Sequence, residues 1–139
     1  MIWPVAIVVL STVLYHVAQK SIPAGAPPVA SLAVSYGVAL LGTFALLPFF
    51  PLRMPAARSL RELNWASAAI GVSIVGVELG FLLAYRAGWR VSVGAAVANA
   101  AVAAMLVPIG LLVFHERLSG VNALGLVLCV AGLFLAVAR

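Results

Sequence analysis

Charge is scarce in this sequence. Of 139 residues only three are acidic and eight basic, and 8% are charged in all, where about a quarter is usual in soluble domains. So few charges cannot coat a globule of this size with a soluble surface, which excludes a water-soluble enzyme. Cysteine is nearly absent too. Cys129 stands alone, so no intramolecular disulfide forms, and no Cys/His cluster has metal-ligand spacing. Basic runs are missing: the net charge of +5 is spread over single residues, which argues against nucleic acid as a partner. What fills the chain instead is apolar, with 65% hydrophobic residues. Disorder has the opposite signature.

Five apolar segments stand out: 2–19, 29–50, 64–85, 91–114 and 120–138. Each is near the ~20 residues that cross a ~30 Å hydrocarbon core. Within the 139 residues the rest suffices only for connectors, so residues 1–139 read as one transmembrane domain. The opening stretch lacks a positive n-region and its apolar run is long for a signal peptide, so it reads as the first span. No lipidation motif is present at either end. Pro23, Gly25, Pro27 and Pro28 separate the first two spans, as helix stops and starts do. Trp3, Trp65, Tyr85 and Trp89 lie near span ends, where interfacial aromatics sit. Segments this long satisfy their backbone in lipid as helices. The expected fold class is all-α membrane, with lipid as its first partner.

With five spans the termini lie on opposite sides. One side then carries Arg53, Arg58, Arg61 and Arg117, and the other Lys20, Arg86, Arg90 and Arg139. Four against four gives the positive-inside rule no bias to act on. Either one span is miscounted or the chain inserts in both orientations.

Polar residues inside the spans carry the chemistry. Glu78 lies about 5 Å from the middle of the third span at 1.5 Å per residue. A carboxylate there costs at least ~2.5–3.5 kcal/mol in insertion, so it faces a cavity or a partner. Two readings stand: a coupling carboxylate in a transport path, or a hydrogen-bonded Glu that glues helices. Ser67, Gly71, Glu78 and Tyr85 share one stripe. Gly76 and Gly80 flank the glutamate and permit close helix approach. The first span ends in a polar stripe of Ser11, Tyr15 and Gln19, with Thr12 and His16 on the next row. Imidazole relays protons near neutral pH, although a solvated histidine one turn from the interface is equally ordinary. Ser31, Ser35, Tyr36 and Thr43 of the second span offer hydroxyls to a polar path. In the fourth span, Ser92 and Asn99 share a face, and Asn commonly bonds to a neighbouring helix; Pro108 removes a backbone bond there and predicts a kink. The residues expected to line one cavity are Glu78, Tyr15, His16, Tyr36 and Asn99. Gly125, Cys129 and Gly132 form a smooth face on the fifth span, the expected dimer contact. No catalytic constellation can be assembled from these residues, so no enzyme and no cofactor are expected.

The tail HERLSGVNALGLVLCVAGLFLAV resembles the EamA-type drug/metabolite transporters, matching at Glu116, Arg117, Leu118, Ser119, Gly125 and Gly132. The five-span layout resembles one complete EamA unit, and the small multidrug resistance proteins share a version of the tail. The pattern departs at Ala103, where EamA units usually have a proline, and at Ser35 and Tyr36, near which many members carry an arginine. Glu78 does not correspond to the first-helix glutamate of the small multidrug resistance proteins. Larger members resemble two such units fused in inverted order. The resemblance implies a secondary transporter of small metabolites or amphipathic or cationic compounds in the cytoplasmic membrane, multi-pass and working by alternating access. Because such folds are built from two inverted repeats, a single unit is expected to pair with a second copy as an antiparallel homodimer. A lipid-linked-sugar flippase subunit and a non-transporting membrane partner are the alternatives.

Overall fold

A computed structural model describes residues 2–52, 55–115 and 119–137. Arg53, Arg117 and Arg139 of the charge tally, and Glu116, Arg117 and Leu118 of the tail motif, lie outside the described residues. The helices run α1 Trp3–Ser21, α2 Pro28–Ala45, α3 Ala56–Arg61, α4 Trp65–Arg86, α5 Val91–Leu112 and α6 Gly120–Val137. No strand occurs among the described residues. α2, α4 and α5 are long and apolar enough to cross a membrane by length and composition, and α6 contributes a shorter apolar stretch, Gly120–Gly132. α1 has the length, but Tyr15, His16, Gln19 and Lys20 make its last turns polar.

Proline and short polar side chains set the helix ends. α1 opens with a proline in its first turn, and its C-cap Ile22 is extended (ψ 126°) because a residue before proline is driven out of the α region. α2 opens on Pro28, where a missing N–H costs nothing. The second span was expected to reach residue 50, but α2 ends at Ala45. Pro48 has no N–H to continue the ladder, and Leu46–Phe50 close into turns, with the Phe50 N–H donating to the Leu46 carbonyl at 2.9 Å. The connector that follows holds the short helix α3. At the start of α4, Asn64 Oδ1 accepts the Ala66 N–H at 3.0 Å. At α6, Ser119 Oγ accepts the Asn122 N–H at 3.2 Å. Both are N-cap bonds that satisfy otherwise orphaned donors. Gly88, with φ +94°, supplies the left-handed residue that ends α4, a conformation glycine adopts without strain. α5 continues through Pro108 to Leu112.

The chain forms two compact units, Met1–Arg86 and Ala87–Arg139. In the first, α4 packs against both α1 and α2; in the second, α5 packs against α6. The first unit is inverted relative to a water-soluble domain. Its most buried side chains include His16 and Gln19, each 7% exposed, beside Leu82 and Tyr85. Val8, Leu10, Leu14, Val38 and Leu41 point outward. Lipid tails are as apolar as leucine, so nothing drives these aliphatics inward. Polar groups, by contrast, must find partners inside the protein.

Candidate functional site

The polar stripe of α1 meets α4. Gln19 Nε2 donates to the backbone carbonyl of Glu78 at 3.2 Å and to Tyr15 Oη at 3.3 Å. One turn away, the Tyr85 hydroxyl lies 2.9 Å from His16 Nδ1. Phe81 stands edge-on to the His16 ring, with centroids 4.6 Å apart at 76°, and edge-on to Tyr15 at 6.0 Å. Edge-to-face contacts of this kind set a ring's positive rim against a negative face. Tyr15, His16, Phe81 and Tyr85 therefore lock α1 to α4 in one register.

Both helices end in a cation: Lys20 caps a carbonyl at the end of α4, and Arg86 binds carbonyls of the α1–α2 connector. Lys20 Nζ donates to the Tyr85 carbonyl at 3.1 Å and lies 5.8 Å from the Tyr85 ring centroid. Arg86 donates to the carbonyls of Ala26, at 2.6 Å, and Pro23, at 3.4 Å. The last carbonyls of a helix have no partner of their own, and cations are favoured at that end. Arg86 straps the α1–α2 connector against the end of α4.

These contacts leave a chamber of about 490 Å³ between α1, the connector, α2 and α4. Tyr15, Gln19, Ser31, Ser35 and Glu78 supply its polar lining; Ala18, Ile22, Ala30 and Val34 supply much of the rest. The Tyr36 phenol is placed against the Glu78 carboxyl group, although its hydroxyl makes no hydrogen bond of good geometry. A second cavity, about 220 Å³, is lined by Gln19, Lys20, Ile22, Ala24, Tyr85 and Arg86. Gln19 and Ile22 border both. Among the described residues no group of three His, Cys, Asp or Glu side chains could hold a metal ion.

The structure brings Glu78 and Tyr15 together in the chamber lining, whereas Tyr36 is not part of that lining and approaches Glu78 from α2. It turns His16 toward Tyr85 instead, in the packing between α1 and α4. Asn99 belongs to α5 in the second unit, as Gly125, Cys129 and Gly132 belong to α6. Cys129 is exposed, and a methyl group added at Gly125 or Gly132 would meet nothing within 4 Å. The same holds at Gly76 and Gly80. Of the second-span hydroxyls, Ser31 and Ser35 reach the chamber, whereas Thr43 bonds back to the Ala39 carbonyl of its own helix.

Sequence reasoning gave too little weight to Gln19, Phe81 and Tyr85. Gln19 was legible as the last member of the Ser11/Tyr15/Gln19 stripe. Tyr85 was legible as the residue two turns beyond Glu78 on one face. Its position near a span end suggested an interfacial aromatic, but it is 4% exposed because His16 supplies a hydrogen-bond partner inside. Phe81 carried no signal, since an apolar aromatic in an apolar span looks like any other.

No curated protein and no solved structure matches the chain. Residues 1–138, which run through both units, match the EamA-like transporter family. That match agrees with apolar helices turned outward around a chamber that polar side chains line in part, and with the tail motif on which the resemblance rested. The chain belongs to the EamA-like transporter family, and is an all-α, multi-pass integral membrane protein.

Proposed function

We propose that this membrane transporter-like protein is a secondary transporter of small metabolites or amphipathic cationic compounds in the cytoplasmic membrane. Residues 1–139 work as one transmembrane domain, paired antiparallel with a second copy, and the pair moves cargo by alternating access. One observation carries the reading: a membrane-embedded carboxylate, Glu78, lines a chamber large enough for a small molecule. Intramembrane acidic residues face the bundle interior or a cavity and mark ion and substrate pathways. The pairing rests on the size of the unit, because transporter sites form at the interface of two repeats and five spans supply one.

In this mechanism Glu78 binds either a proton or the cargo. Loss of one makes room for the other, which links their movements. Tyr15 lines the chamber with the carboxylate, and Ser31 and Ser35 offer hydroxyls to the cargo.

The test is proton-coupled flux in proteoliposomes carrying a trapped pH dye, challenged with a panel of amphipathic amines and small metabolites. Glu78→Gln keeps size and hydrogen-bonding capacity but removes the titration. The variant is expected to fold normally and lose proton-driven flux. Transport at the wild-type level with unchanged pH dependence would reduce Glu78 to a packing residue.

A further inference from the structure

Arg86 reaches from the end of α4 to the connector, where one of its nitrogens holds both ends of a turn. Nη2 donates to the Ala26 carbonyl at 2.6 Å and to the Pro23 carbonyl at 3.4 Å. The Ala26 N–H closes the same turn onto the Pro23 carbonyl at 3.0 Å. Hydrogen bonds from an ionised donor are about twice as strong as neutral ones, and a guanidinium presents its donors in a fixed planar fork.

That turn is also a wall of the chamber. Ile22, Pro23 and Ala26 line it, together with the last turns of α1 and the first turns of α2. The connector therefore closes the chamber at the end where it joins these two helices. Glu78 lies on the same helix as Arg86, about 12 Å from it along the axis at 1.5 Å per residue. Pro23, Ala24 and Gly25 are exposed, and a methyl group added at Gly25 would meet nothing within 4 Å. An outward swing of the turn meets no packing there, and it must break the two Arg86 bonds.

Resting on the reading of this chamber as the transport site, we propose that Arg86 is a positioning residue that latches the 23–26 turn as a gate across one end of it. Latched, the turn bars water and cargo from that end. Released, it opens a path to Ser31, Ser35 and Glu78. Because α4 carries both the latch and the carboxylate, a shift of α4 on binding at Glu78 acts directly on the gate.

The experiment places the full chain in nanodiscs with Cys129→Ser, which removes the lone native thiol. A single reporter thiol is then set in the chamber by Ser35→Cys, or in the α1–α4 packing by Leu82→Cys, where the native side chain is 2% exposed. Each protein reacts with a charged, membrane-impermeant methanethiosulfonate. Loss of a hydrogen bond from a charged donor shifts a closed–open equilibrium by about tenfold or more. Arg86→Met, which keeps the apolar stem and no donor, is expected to speed labelling at Ser35→Cys by that factor and to leave Leu82→Cys slow. Arg86→Lys keeps a donor without the fork and should fall between. Equal labelling of Ser35→Cys in the presence and absence of Arg86 overturns the gate. So does a rise at both reporters, which would make Arg86 a strut of the whole unit. If neither Arg86 variant folds, Arg86 serves folding and the gate is likewise overturned. Labelling needs no transport, so these outcomes are separate from the flux of Glu78→Gln, on which the transport reading stands or falls.

Discussion

Tyr85 and His16 meet through a 2.9 Å contact between Oη and Nδ1, the most buried side-chain hydrogen bond between α1 and α4. Each side chain is less than a tenth exposed, so neither has solvent to fall back on. The pair lies one turn from Gln19 and fixes the register in which Gln19 reaches the Glu78 carbonyl. Chamber geometry thus depends on a bond outside the chamber.

Tyr85→Phe removes only the hydroxyl and strands His16 Nδ1. Leaving a buried polar group unsatisfied costs about 1–3 kcal/mol. The variant is expected to unfold at lower temperature or denaturant in detergent. The ring contact with Phe81 is retained, so Tyr85→Ala should be worse than Tyr85→Phe. An unchanged transition for Tyr85→Phe would mean that the pair contributes nothing to packing.

The antiparallel dimer has its own test. Two or three lysines added to one set of connectors should force a single orientation and abolish transport. Co-expression of two oppositely biased variants should restore it. Full activity from one singly oriented variant alone would exclude the antiparallel arrangement.

For the dimer contact, the face of α6 bearing Gly125, Cys129 and Gly132 is the first candidate. Glycines there permit the close backbone approach on which helix association in lipid depends, and a side chain at either glycine would meet open space in the single chain. Gly125→Leu and Gly132→Leu are therefore expected to fold but to dimerise less, as read by single-molecule photobleaching. An unchanged dimer fraction in both variants moves the contact elsewhere, with the Gly76/Gly80 face next.

The stripe Ser11, Tyr15, Gln19 was legible because i, i+4 and i+8 share a helix face whatever that face meets. Glu78 was legible because the cost of a carboxylate in hydrocarbon does not depend on the fold. The early end of α2 was readable in principle at Pro48, but the apolar run to Phe50 masked it, since hydropathy does not register a missing N–H. Choosing among the polar groups was a different matter. His16 and Gln19 are three residues apart on one helix, yet one pairs with Tyr85 and the other with the Glu78 backbone and Tyr15.

Composition and periodicity alone determined that this chain lies in a membrane as apolar helices, because lipid imposes the same demand on every span: satisfy the backbone internally and keep charge away from the tails. They also determined which faces carry polarity. Only the tertiary structure decided what each polar group does. Hydrogen bonding is directional and short-ranged, so whether Gln19 donates to Glu78, or His16 turns to Tyr85, depends on the azimuth and register of α4 against α1. Packing of rings such as Phe81 fixes those quantities, and no one-dimensional pattern encodes them.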